Sequence, residues 1–88
     1  MGWRIAVTKR FERDYRLLTK SEQRAADKAL RLLEHDLRHP GLRVKKIEGT
    51  RSIWEARASR AIRITFEVRE SLLFLRRIGR HNSVLKRP

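Results

Sequence analysis

Four side chains in the second half of the chain, Glu55, Arg57, Arg63 and His81, are of the types that handle a phosphodiester. A carboxylate or an imidazole can take or give a proton near neutrality, and guanidinium groups stabilise the charge that builds on a five-coordinate phosphorus. The spacing places three of them on one surface. Ile62, Ile64, Phe66 and Val68 alternate with Arg63, Thr65, Glu67 and Arg69, so this segment is a strand with one apolar and one polar face. If Ser59-Arg60-Ala61 is the loop, Ala58 pairs with Ile62, and Trp54 and Ala56 fall opposite Phe66 and Ile64 on the buried face. The same register sets Arg57 opposite Arg63 and Glu55 opposite Thr65. A two-residue loop would set Arg57 opposite Ile62 and mix the faces, burying charge or exposing a large apolar group. Like charges directly opposite one another destabilise a hairpin by a few tenths to about 1 kcal/mol. A phosphate lying between Arg57 and Arg63 would relieve that repulsion.

His81 follows the last apolar run, Leu72-Leu73-Phe74-Leu75-Arg76-Arg77-Ile78. This run is apolar on both faces at its start, as an interior strand should be. It delivers Gly79-Arg80-His81-Asn82 to the rim of the polar face, with Gly79 allowing a sharp exit from the strand. The expectation is a sheet whose second face is partly bare and carries Glu55, Arg57 and Arg63, with His81 at its edge.

The elements that must hold this surface are legible from the start of the chain. Trp3, Ile5 and Val7 alternate with Arg4 and Ala6, the period of a half-buried strand. Thr8 can cap a first helix in which Phe11, Tyr15 and Leu18 share a face. Thr19 and Glu22 have the spacing of a capping box that opens a second helix, with Ala26, Ala29, Leu30, Leu33 and Leu37 as its apolar stripe. His39-Pro40-Gly41 should stop it. Beyond Gly41 the period drops to two, giving strands over residues 44–48, 53–58, 62–68 and 72–78 with a turn at 49–52. The fold class is therefore α+β: one small domain over residues 1–88, ordered β-α-α-β-β-β-β, with a mostly antiparallel sheet and a two-helix hairpin on one face.

Composition narrows the partners. Lys and Arg number 23 against 10 Asp and Glu in 88 residues, a formal charge of +13. Such an excess repels itself in the folded state and points to a polyanion, nucleic acid first, or to an acidic protein. There is no cysteine, which excludes disulfides, thiolate zinc sites and cysteine nucleophiles. The charged N-terminus lacks a signal-peptide core and no run is long enough to span a membrane, so the expected location is the cytoplasm. His35 and His39 have a metal-compatible spacing but no evident third ligand, and are expected to favour the negative end of the second helix; no metal or small-molecule cofactor is expected. Trp3 and Trp54 are expected in or against the core.

Three stretches together resemble the RelE/ParE superfamily of toxins from toxin–antitoxin systems: LRVKKIEG at 42–49, IWEARASRAIRITFEV at 53–68 and LLFLRRIGRHNSVLK at 72–86. Their order and spacing, and the two preceding helices, extend the likeness over nearly the whole chain. The resemblance implies a RelE-like ribosome-dependent messenger-RNA endonuclease with a cognate antitoxin. By that likeness Arg63 holds the scissile phosphate, Glu55 is general base or orienter, and His81 is general acid or base. Lys45 and Lys46 lie in the basic strand that contacts RNA, with Arg57, Arg80 and Lys86 as further phosphate-binding cations. Leu85 departs from the pattern, because an aromatic that stacks on a base is usual there, and its loss removes about 1 to 3 kcal/mol of stacking per base.

The implied chemistry is attack of a ribose 2′-OH on the adjacent phosphate, leaving a 2′,3′-cyclic phosphate and a free 5′-OH without a metal. Two alternatives share the composition: a ParE-like inhibitor of DNA gyrase without nuclease activity, and a non-catalytic RNA- or DNA-binding module.

Overall fold

The computed structural model describes residues 2–88. Strand β1 (Arg4–Val7) runs straight into helix α1 (Lys9–Arg16), whose cap is the expected one: Thr8 Oγ1 accepts the Phe11 N–H at 3.0 Å. Helix α2 (Lys20–His35) opens on the full capping box, with the Thr19 N–H donating to Glu22 Oε1 at 2.8 Å and the Glu22 N–H to Thr19 Oγ1 at 3.1 Å. Each cap satisfies a donor that a helix start leaves without a partner.

Helix α2 ends at His35, earlier than the Pro40 stop, so Leu37 packs on the core from outside the helix. Asp36 is the cause, since its side chain accepts the Arg38 N–H at 2.9 Å and offers the backbone a turn instead of another helical step. Residues Pro40–Leu42 form a 3-10 turn capped by His39, whose Nδ1 accepts the Gly41 N–H at 3.1 Å. His39 thus serves the turn rather than the end of α2.

The sheet comprises β2 (Lys45–Lys46), β3 (Ile53–Arg57), β4 (Ile62–Arg69) and β5 (Leu72–Arg80) together with β1, in the spatial order β1-β5-β4-β3-β2. All neighbours are antiparallel except β1 and β5. β2 keeps only two residues of the five expected at 44–48. The β3–β4 register is the one that the three-residue loop requires, with Trp54 opposite Phe66, Ala56 opposite Ile64 and Arg57 opposite Arg63.

An irregularity between Thr65 and Phe66 alters β5: Thr65 pairs with Arg77 and Phe66 with Leu75, leaving Arg76 as the extra residue. A bulge of this kind shifts the alternation by one. Ile78, which simple alternation would place opposite to Leu73 and Leu75, therefore joins them in the core. That core lies between the helices and one sheet face, built from Phe11, Ala26, Ala29, Leu33, Ala56, Ile62, Ile64, Phe66, Leu73, Leu75 and Ile78. Trp3 and Trp54 pack against it half-buried.

The second face, expected to be partly bare, is open only in part. A short helix, α3 (His81–Lys86), follows β5 and turns back onto it, with Val84 fully buried. A Cβ at Gly79 would lie 3.1 Å from Val84 Cγ2, so Gly79 makes room for this helix within β5 rather than providing an exit from the strand. Beyond α3, the Pro88 carbonyl accepts the hydroxyl of buried Thr65 and the Nε–H of Arg76, each at 3.1 Å.

Candidate functional site

What the C-terminal helix leaves open is a cleft of about 200 Å³ lined by Arg43, Lys45, Glu55, Arg57 and Arg63. Strand alternation puts Glu55 and Arg57 on one side of β3, and Arg63 joins them as the partner of Arg57 across the hairpin. Lys45 is the cross-strand partner of Glu55, whereas Lys46 is paired with Trp54 and so belongs to the other face. Arg43 arrives from the 3-10 turn, where it is the closing residue with a left-handed backbone, φ 46° and ψ 48°.

The cations of the cleft are not equivalent. Arg63 Nη1 donates to the carbonyls of Ser59, Arg60 and Ile62 at 3.0, 3.1 and 3.3 Å, and its Nε is 3.6 Å from Glu55 Oε1. It is tied to the hairpin loop and to the buried carboxylate. Arg57 has no such partners: its Nε is buried without a hydrogen bond among the described residues. Its pKa is pushed below the usual arginine range, first by desolvation and then by the charges of Arg43, Arg63 and Arg60. One carboxylate among four cations leaves an excess of positive charge that an anion would neutralise.

The remaining predicted residues lie outside the cleft. His81 is exposed at the start of α3, and its backbone N–H donates to the Ala61 carbonyl at 3.0 Å. That puts it one step beyond the Ile62–Arg80 pair, at the same end of the sheet as Arg57 and Arg63, but not on the cleft wall. Arg80 reaches the other way, to within 3.8 Å of Glu22 at the start of α2. Lys86 is exposed in the last turn of α3 and Leu85 is half-buried beside it. Lys46 borders an adjoining hollow with Lys45, Ile47, Glu48 and Glu55. Among the described residues no three His, Cys, Asp or Glu side chains gather as metal ligands would.

Arg43 was not among the residues singled out from sequence. Its signal was its place two residues before Lys45, the strand period, but Arg43 closes the preceding turn with a left-handed backbone and lies outside the strand, which hides that relation.

No protein-family model matches the sequence, and no curated protein does. Solved structures do match. The E. coli DinJ–YafQ toxin–antitoxin complex contains a chain that aligns with 96% of this one and 98% of its own length, with a TM-score of 0.78 at 15% identity. For the archaeal RelE–RelB complex from Pyrococcus horikoshii the corresponding values are 91%, 96%, 0.73 and 20%. The chain has the fold of these toxins. A substituted form of the E. coli toxin RelE in the free state agrees, with 98% and 92% of the two chains covered, a TM-score of 0.70 and 16% identity. At such identities what is shared is the RelE-like fold, a small α+β domain with a five-stranded, mostly antiparallel open sheet.

Proposed function

We propose that the chain is the toxin of a type II toxin–antitoxin pair and cleaves messenger RNA on the ribosome, in the cytoplasm. The observation that carries this reading is the cleft itself: a buried carboxylate held by one arginine beside a second arginine with an unsatisfied buried donor, on a RelE-like sheet. In the reaction the ribose 2′ oxygen forms a bond to the adjacent phosphorus and the bond from phosphorus to the 5′ oxygen breaks. The products are a 2′,3′-cyclic phosphate and a free 5′-OH. Glu55, or a group oriented by the ribosome, takes the 2′ proton, and His81 protonates the leaving oxygen once the message spans the sheet end between them. Arg57 and Arg63 stabilise the charge on the phosphorane. No step calls for a metal.

The antitoxin is the second partner. Its support is the fold shared with toxins solved in complex with antitoxins, and a surface suited to an acidic amphipathic segment. A hollow beside α1 and α2 is lined by Val7, Phe11, Tyr15 and Leu30 together with Glu12, Arg16 and Asp27, and Leu17 and Val7 are exposed. Such a segment would use the apolar contact here, while the net charge of +13 over the chain attracts its acidic side chains.

The position of His81 outside the cleft, with Leu85 in place of an aromatic, favours a second reading: a ParE-like gyrase inhibitor without nuclease activity, or a non-catalytic nucleic-acid-binding module. Incubation with translating ribosomes, followed by mapping of 5′ ends on the message, separates these. Codon-spaced cuts are expected. Intact message together with inhibited supercoiling by gyrase would establish the gyrase reading instead, and intact message with unaffected gyrase the binding module.

A further inference from the structure

Arg43 closes the Pro40–Leu42 turn with a costly backbone. Its left-handed conformation, φ 46°, is one that glycine adopts freely and an arginine does not. The turn needs only the Arg43 N–H, which donates to the Pro40 carbonyl at 3.3 Å, and any residue except proline supplies that. What glycine would not supply is the guanidinium on the cleft wall. Retained strain of this kind is found where a side chain has a task.

The task follows from its neighbours. Arg63 has Nη1 and Nε already committed to three carbonyls and to Glu55. Arg57 has a buried donor without an acceptor among the described residues, and Arg43 is the first of the charges acting on it. We infer that Arg43 and Arg57 together grip the phosphate, while Arg63 is a positioning residue that holds Glu55 and the hairpin loop. This inference rests on the RNA-cleaving reading of the cleft and redistributes the roles within it. Phosphate is favoured over the carboxylates of an acidic peptide by Glu55, which repels any anion but can accept a hydrogen bond from the hydroxyl that a ribose places next to its phosphate. Guanidinium pairs also match the oxygens of a tetrahedral phosphate.

The test is binding of a short, labelled 2′-fluoro oligoribonucleotide, which lacks the attacking hydroxyl, to the full chain and to Arg43→Gly, Arg43→Lys and Arg24→Ala. Arg24 is exposed on α2, is not part of the cleft lining, and controls for bulk charge. Arg43→Gly is expected to bind about tenfold more weakly, the loss of one charge-assisted contact. Its dependence on salt should fall by about one unit of slope. Its melting temperature should be unchanged or higher, because the strain is gone. Arg43→Lys should recover only part of the affinity, and Arg24→Ala should change it by less than about twofold. Equal losses in Arg43→Gly and Arg24→Ala would overturn the grip, as would a loss in Arg43→Gly accompanied by a lower melting temperature. A glutamate-rich peptide of equal charge that binds as tightly, and with the same dependence on Arg43, would overturn the phosphate assignment in favour of a protein ligand. If the message stays uncut on ribosomes while oligonucleotide binding still depends on Arg43, the cleavage reading falls and the grip stands.

Discussion

Arg57 and Arg63 face one another across adjacent strands, yet only Arg63 is neutralised. Its Nε lies 3.6 Å from Glu55 and its Nη1 rests on loop carbonyls, whereas Arg57 has a buried Nε without a partner among the described residues. Two identical side chains on one face thus have different states: one is held by the protein through Nη1 and Nε, the other has a buried donor left for a ligand.

Inorganic phosphate is therefore expected to raise the melting temperature more than chloride does at matched ionic strength. Linkage sets the scale, about 2.7 kcal/mol at a ligand concentration one hundred times Kd. In Arg57→Gln the extra increment should vanish, and the variant should melt higher than the parent in chloride, because desolvation and repulsion of the guanidinium are removed. Differential scanning fluorimetry in the two salts measures both effects.

Arg63 and His81 should fail differently. Arg63→Ala leaves the Glu55 carboxylate buried without its ion partner, so cleavage should fall by about a hundredfold or more and stability by about 1–3 kcal/mol. His81→Ala removes an exposed side chain, so the melting temperature should hold while cleavage drops by about a hundredfold and its pH dependence loses one limb. Single-turnover cleavage on ribosomes together with thermal melts separates the two patterns. Full-rate cleavage by both variants would remove them from the mechanism.

The cover of the second sheet face depends on two small features. Thr65→Val deletes the hydroxyl that donates to Pro88 and should cost about 1 kcal/mol, or about 4–8 °C in Tm for a domain of this size. Amide exchange should rise over residues 81–88. Gly79→Ala should be destabilising by a similar amount, because Val84 is buried and cannot move far from the new methyl. Adding Val84→Ala to Gly79→Ala should recover part of that loss, and a double-mutant cycle gives the coupling.

Glu67 makes stability depend on acid. Burial would raise its pKa, but hydrogen bonds from Arg69 at 3.0 Å and Arg76 at 2.6 Å outweigh that and hold it below the ordinary 4.5. A carboxyl whose folded pKa is depressed stabilises the fold above its unfolded value, and the contribution disappears as pH falls through the folded value. Stability should accordingly decline once the pH drops below about 4.5, and Glu67→Gln should flatten the decline. Urea melts between pH 6 and about pH 3 would reveal this. A parallel fall in parent and variant would exclude Glu67 as its origin.

Much of the scaffold could be read from neighbouring residues. Thr8, Thr19 and Glu22 announced both helix starts because a cap and its partner lie within one turn of chain. The hairpin register followed from alternation alone, since a slip by one residue would have buried Arg57 or Arg63. The bulge at Arg76 could not be found this way, because it depends on which β5 residue the partner strand accepts. Nor could α3, where one buried side chain, Val84, fits against a glycine of the preceding strand.

Composition and periodicity determined that this chain is basic, α+β and built on a hairpin with Glu55, Arg57 and Arg63 on one face. Only the tertiary structure decided which cations remain available. Asp14 takes Arg77 from 63 positions away, Glu67 takes Arg69 and Arg76, and Glu55 takes Arg63. It also sent Lys46 and Arg80 away from the cleft and brought Arg43 into it. The reason is range: alternation and capping act between residues a few positions apart, whereas charge pairing is settled between elements that meet only after the chain has folded.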